Sequence, residues 1–460
     1  MRRALDPLRV PNYRRFFAGQ LVSLSGTWIQ TVAELWLVLQ LTGSAVALGL
    51  VGALQFTPML LVGPFAGVLA DRLPKRRLLI TTQLWMAVPA LSLLGLTLAG
   101  AVELWMVYAL VLVRGIGQAV DHPTRQAFVM EMVGPSKVAG AVSLNAAIVS
   151  SARLAGPAIG GLVISAAGVA PCFALNALSF AAVVWALAGM DPAALHSAPP
   201  AKRERGQLRS GLRYVARTPR LLVPLGAMAV VGTLAFNFNV LLPVMAERDF
   251  GGDASLYGTL AAAMGAGSVA GALGNAARGG HGIGALALIT LAFGGALAAV
   301  AAAPSVATAI AALVLLGAAS TAFSATVNTV LQLSAKPQMR GRVMALFSVL
   351  LLGSTPIGSP IAGWIAEHGG PRAAWLVAAL ATLAVGAGLA WLARSPKLHL
   401  DPPGAPEHEG RWYGSTSTST SSRASMTGRP PLRTPSSSHA RRSRTARASS
   451  PPRRTSARTS

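Results

Sequence analysis

SAVALGLVGALQFTPMLLVGPFAGVLA, residues 44–70, contains no charged side chain, and DRLPKRR, residues 71–77, follows it without a gap. A bilayer core of about 30 Å is crossed by about 20 apolar residues in a helix, so the first string reads as a membrane span. Arg72, Lys75, Arg76 and Arg77 lie just beyond its end. Lys and Arg are retained on the cytoplasmic side of such spans, so this one ends in the cytoplasm.

Working outward, runs of the same kind lie at 16–41, 78–98, 104–130, 138–167 and 171–190, and again at 221–245, 254–277, 284–303, 305–334, 343–366 and 373–392. With 44–70 that makes twelve. The first run lacks a small-residue cleavage site and more spans follow it, so it is expected to stay as a helix. The connections test the count independently. Arg14 and Arg15 precede the first span, Lys137 follows the fourth, Arg203 to Arg220 follows the sixth, Arg278 the eighth, Arg340 and Arg342 the tenth, and Arg394 and Lys397 the last. The alternate connections 42–43, 100–103, 168–170 and 304 have no Lys or Arg, and 247–253 is mainly acidic. This alternation places both termini in the cytoplasm and makes the number of spans even.

Composition agrees. Of 460 residues, 53% are hydrophobic and 12% charged, against about 25% charged in a soluble domain. Too little polar surface remains to cover a water-soluble globule, which excludes a soluble enzyme. The formal charge of +24 follows the connections and the C-terminal tail rather than marking a nucleic-acid surface, and no nucleic acid is expected as a partner. A single cysteine, Cys172, excludes an intramolecular disulfide and a cysteine-based metal cluster, and the seven histidines are scattered, so neither metal nor cofactor is expected. There is no GxxxxGK[ST] loop to cradle ATP phosphates and no catalytic constellation, so the protein is read as no enzyme and its energy as coming from an ion gradient.

Residues 191–220, rich in Pro, Ala and Arg, divide the spans six and six. The expected organisation is an N-terminal six-helix bundle at 1–190, a cytoplasmic central loop at 191–220, a C-terminal six-helix bundle at 221–396, and a disordered basic cytoplasmic tail at 397–460. The tail's Ser, Thr, Arg and Pro cannot bury a core; it attracts anionic lipid or is dispensable, even the product of a shifted reading frame. The halves echo each other: GPSKVAGAVSLNAAIVSSARLAGPAIGGLVIS from Gly134 parallels KPQMRGRVMALFSVLLLGSTPIGSPIAGWIAE from Lys336. Such repetition points to pseudo-symmetric bundles with a path between them.

GVLADRLPKRR, residues 67–77, resembles the signature between helices two and three of the major facilitator superfamily, with Pro74 in place of its usual glycine. RLAGPAIGG, residues 153–161, is similar to the superfamily's motif in exporters that exchange protons, with Ala152 where a further glycine stands. NYRRFFAGQLVSLSGTWIQTVAELWLVLQLTGS from Asn12, GQAVDHPTRQAFVMEMV from Gly117, PCFALNALSF from Pro171 and GLRYVARTP from Gly211 extend the likeness over residues 1–396. They resemble the subgroup that contains the enterobactin exporter and its drug-efflux relatives. The resemblance implies the major facilitator fold, twelve transmembrane helices in two pseudo-symmetric bundles. In the second half, Asn275 stands where a carboxylate would complete a matching loop, so the two gates are expected to differ.

On that resemblance Gly67, Asp71, Arg72, Lys75, Arg76 and Arg125 are the expected gate, its ion pairs breaking in one state of the cycle. Gly156, Pro157, Gly160 and Gly161 are a helix-packing motif, through exporter function or through small-residue packing alone. Charges inside hydrocarbon cost at least about 2.5 kcal/mol, so those retained line water or pair. Glu34 is read as the proton carrier, or as a structural carboxylate paired with an arginine. Asp121 belongs to the gate with Arg125 or to coupling, and Arg114 to proton transfer or to snorkelling and carbonyl capping. Arg153 contacts an anionic substrate or Glu34. With Trp36, Asn145, Asn176, Phe236, Asn237, Asn328 and Gln332 it makes up the expected substrate cavity, half of the amides serving instead as helix-to-helix fasteners.

The function expected is a monomeric secondary transporter of the bacterial inner membrane. It exports a small amphipathic molecule, siderophore or drug-like, in exchange for protons, with lipids as its surroundings. An uptake or lysophospholipid-type permease of the same fold, and a multipass membrane enzyme or scaffold, are the alternatives.

Overall fold

The computed structural model describes residues 5–196, 207–277 and 282–394; the tail expected at 397–460 lies outside them. The described residues are helical throughout. The helices are α1 (Pro11–Thr42), α2 (Ala45–Leu61), α3 (Gly63–Arg72), α4 (Lys75–Leu98), α5 (Leu104–Val133), α6 (Val138–Ala167) and α7 (Ala170–Ala188). After the short α8 (Gln207–Ala216) follow α9 (Pro219–Ala235), α10 (Phe238–Val244), α11 (Ala254–Ala277), α12 (Ile283–Ala301), α13 (Val306–Ser334), α14 (Arg340–Gly353), α15 (Thr355–Gly369) and α16 (Pro371–Ala393). Eleven helical segments are long and apolar enough to cross a membrane, and α2, shorter, is continued by α3, giving twelve crossings.

Three of the expected spans are each built from two helices, and the reason is local. Proline has no N–H to donate and its ring displaces the preceding turn. Pro58 and Gly63-Pro64 bend the second span, Pro356 follows the break between α14 and α15, and the seventh span opens at Phe236 and Asn237, with Pro243 inside α10. At the seventh-span break the Asn237 amide donates to the Thr233 carbonyl oxygen at 2.7 Å, satisfying a backbone group that hydrocarbon would leave stranded. The connection between α1 and α2 is only two residues long because Gly43 turns the chain in the left-handed region, at φ 60°.

Small residues set how closely the helices cross. A side chain at Gly156 would strike Trp28 on α1, one at Gly160 would press tightly on Val32, and one at Gly161 would stand 2.5 Å from the Ala254 carbonyl oxygen at the start of α11. In the parallel segment Gly358 meets the Thr233 carbonyl of α9, and Gly363 meets the Ala45 carbonyl at the start of α2. Gly358 and Gly363 occupy the places of Gly156 and Gly161 when the two segments are aligned from Gly134 and Lys336. The repetition is therefore structural: each half uses one glycine to pack on its own first helix and another to cross to the opposite half.

The outer surface is apolar. Trp185 is 81% exposed, and Phe65, Leu98, Leu288 and Trp391 are exposed with it. Such a belt is stable only against lipid.

Candidate functional site

Between the helices of residues 5–196 and those of 219–394 lies a cavity of about 430 Å³, walled by α1, α2 and α6 on one side and by the α9–α10 break, α10, α11, α13, α14 and α15 on the other. Arg153, Phe236 and Asn237, all expected in the substrate cavity, line it. Arg153 reaches it from α6 one turn before Pro157, with its guanidinium carbon 5.8 Å from the centre of the Trp28 ring, a cation–π distance. Phe236 and Asn237 reach it because the seventh span unwinds there.

The other residues expected in that cavity lie elsewhere. Trp36 is buried and stacks on Tyr257, ring centres 6.4 Å apart. Asn176 is wholly buried inside the first half, and Asn145 is half-buried on α6 away from the cavity lining. Asn328 accepts from Gln332 at 2.5 Å, one turn along α13 toward its C-terminal end. Helix rotation explains the outcome: polarity at membrane depth does not say which neighbour a side chain faces.

Arg153 apart, the described intramembrane charges form two separate clusters. Arg114 on α5 donates to Glu34 on α1 at 2.5 Å, the two side chains 0% and 1% exposed. Glu34 also accepts from the Gln30 amide at 2.7 Å; Gln30 in turn accepts from Asn176 of α7 at 2.5 Å, and the Ser179 hydroxyl donates to Asn176. A polar chain thus links three helices around one ion pair. Among the described residues, Arg114 Nε has no hydrogen-bond partner.

Nearer the end carrying the basic connections, Asp121 pairs with Arg125 one turn on and accepts from Thr82 at 3.1 Å and Gln83 at 2.8 Å, both on α4. Lys75 meets Glu131 at 2.6 Å, and Arg76 donates to the Leu187 and Ala188 carbonyls that close α7. These contacts all stay within residues 5–196. Arg72 is exposed. Gly67 and Asp71, expected in the gate, lie on the α3 backbone, and what surrounds them falls outside the described side chains.

At the opposite end sequence reading missed a cluster. Arg248, just past α10, donates to the Gly43 carbonyl and lies 3.0 Å from Glu367 of α15. Glu367 accepts from the Ala45 backbone N–H at 2.6 Å, an acidic partner at a helix N-terminus. Arg372 stands 3.7 Å from Asp249 nearby. Arg248 and Glu367 therefore tie the second half to the first connection of the chain. The available signal was Arg248 itself, a basic residue in an otherwise acidic connection. Among the described residues, no three His, Cys, Asp or Glu side chains are grouped to hold a metal.

The sequence matches a major facilitator family described as transmembrane secretion effector over residues 2–402. It is 26% identical to the multidrug efflux pump Tap of Mycolicibacterium fortuitum over 82% of this chain and 94% of that protein. It is 27% identical to the staphyloferrin A transporter of Staphylococcus aureus over 53% of this chain and 61% of that protein. A match at 27% to the uncharacterized transporter YfiS of Bacillus subtilis covers 46% of this chain and 51% of that one. The chain thus spans between half and two thirds of these latter two relatives. Among solved structures, a bacterial homologue of the iron transporter ferroportin in an inward-facing state is similar at TM-score 0.62 and 16% identity, covering 83% of this chain and 99% of that one. A POT family transporter in complex with 5-aminolevulinic acid gives TM-score 0.67 at 12% identity, covering 84% and 96%. These likenesses are of fold.

Proposed function

We propose, from the fact that this chain belongs to the transmembrane secretion effector family of major facilitator transporters, that it is a secondary active exporter moving a small amphipathic molecule outward in exchange for protons. The family and the named relatives are transporters rather than enzymes, and the chain is a multi-pass membrane protein. The observation that carries the export reading further is the cavity walled by both halves, together with the ties that cross between the halves: Arg248 to Gly43, and Glu367 to Ala45.

Basic connections mark the cytoplasmic face, so the tied end is the outer one and both termini are inside, in a bacterial inner membrane. Exchange proceeds by rocking one half against the other about the cavity, and the crossing glycines Gly161 and Gly363 are the contacts over which that rocking takes place. Glu34 is the proton carrier and Arg114 its counter-charge: a ligand or proton acts only through its different affinity for the two states. Lys75, Arg76, Asp121 and Arg125 brace the inner ends of α4, α5 and α7 so that Asp71 and Arg72 can pair when the inner side closes. The single polypeptide carries the whole path and acts as a monomer. Siderophore or drug-like molecules are the substrate classes, by likeness to a staphyloferrin A transporter and a multidrug pump.

The test is uptake into inverted membrane vesicles from a host lacking its own pumps, with an amphipathic panel and with the proton gradient intact or collapsed. Accumulation that needs the gradient supports export by proton exchange. Accumulation that is unchanged by its collapse overturns the coupling, and movement only in the opposite direction makes the protein an uptake permease.

A further inference from the structure

Resting on the exporter reading, we propose that the central cavity selects a substrate bearing one negative charge on an aromatic or otherwise apolar body, with Arg153 as the partner of that charge. Arg153 is the only charged residue among those that line the cavity. Elsewhere at membrane depth the described charges are matched: Glu34 with Arg114, and Asp121 with Arg125. Arg153 meets the face of Trp28 and, among the described residues, no carboxylate.

A lone cation in a low-dielectric enclosure is unfavourable and is stabilised by whatever anion enters. The Arg153 guanidinium carbon lies over the Trp28 ring, and a guanidinium carries five N–H donors around its edge. An edge of that kind holds carboxylate, sulfonate or phosphate oxygens in pairs. The rest of the wall is suited to the remainder of such a molecule. Val32, Phe236, Phe238 and Met264 present apolar surface, and the half-buried amide of Asn239 has no partner among the described residues. One guanidinium compensates one charge; a cationic amphiphile would meet Arg153 with none to offset it.

The probes are 8-anilinonaphthalene-1-sulfonate and N-phenyl-1-naphthylamine, which share an aromatic skeleton and differ by the sulfonate. Binding to purified full-length protein is read as the concentration that half-saturates the rise in thermal unfolding temperature, in the wild type, Arg153→Lys and Arg153→Gln. The sulfonate is expected to bind the wild type at least tenfold more tightly than the neutral probe does. Arg153→Gln is expected to erase that preference, and Arg153→Lys to keep part of it. Equal binding of the two probes to wild type overturns the proposal without needing a variant, as does undiminished sulfonate preference in Arg153→Gln. Vesicle uptake of the same two probes separates the two levels. Sulfonate selectivity in binding with no transport of either probe keeps the site and removes the exporter reading, whereas transport that ignores the sulfonate keeps the exporter and removes the site.

Discussion

Arg114 Nη2 lies 2.5 Å from Glu34 Oε2, joining α5 to α1 where neither side chain reaches solvent. Breaking a buried pair on one side leaves an uncompensated charge and costs about 3–5 kcal/mol. Glu34→Ala is expected to lower the unfolding temperature of the detergent-purified protein sharply. Glu34→Ala with Arg114→Met, which removes both charges, is expected to recover most of the loss. A double variant as unstable as the single one would show that the ion pair is not what holds the helices.

In the proposed exchange the same pair carries the coupling. Glu34→Gln keeps a hydrogen-bonding group of equal size beside Gln30 and Arg114 while losing the titratable proton. Transport by this variant is expected to become insensitive to pH between 5.5 and 8, measured in vesicles whose internal and external pH are set equal. A pH profile that matches the wild type would remove Glu34 from the role.

Asp121 is a junction rather than an isolated charge, since Arg125, Thr82 and Gln83 all converge on it. Asp121→Ala strands a cation and two donors and is expected to destabilise by about 3 kcal/mol or more. Asp121→Asn retains one acceptor and is expected to lose less. Equal unfolding temperatures for both variants and wild type would contradict the convergence.

Gly161 and Gly258 cross with almost no room: a side chain on Gly258 would stand 2.7 Å from the Pro157 carbonyl oxygen. Overpacking of this kind costs about 1–3 kcal/mol. Because the crossing joins the two halves, Gly258→Val is expected to cut the transport rate at least tenfold while leaving each half folded, as read by hydrogen exchange of α4 and α12. Transport at wild-type rate would place the pivot elsewhere.

Arg248 and Glu367 have side chains 29% and 31% exposed, so their direct pairing contributes about 0–1 kcal/mol. In the proposed cycle their effect is on which end is closed. Spin labels on Leu41→Cys and His368→Cys are expected to give one short distance population in the wild type and an additional longer one when Arg248→Ala is introduced. An unchanged distribution would show that Arg248 does not hold this end shut.

The amount legible in the sequence follows from what each signal measures. Hydropathy counts residues in a run, so twelve crossings were visible, whereas the breaks at Gly63, Asn237 and Ser354 were not, because apolar residues continue through them. Spacing of small residues marked Gly156 and Gly161, since no other side chain permits helices so close. Charge at membrane depth marked Glu34, Arg114 and Asp121, and an arginine partner for Glu34 was among the readings open. What was hidden is the rotation of each helix, which sends Arg153 into the cavity yet buries Asn176 and Trp36 away from it. Arg248 and Glu367 are not legible in the sequence because the charge of a connection does not say which group it meets across the halves.

Proton movement during transport tests the account most directly. Purified protein is reconstituted in liposomes containing a pH-sensitive dye, and a gradient of a transported substrate is applied with no initial proton gradient. Substrate flowing down its gradient is expected to drive protons the opposite way, with the signal abolished in Glu34→Gln and by a protonophore. Substrate flux with no accompanying pH change would contradict exchange as the mechanism.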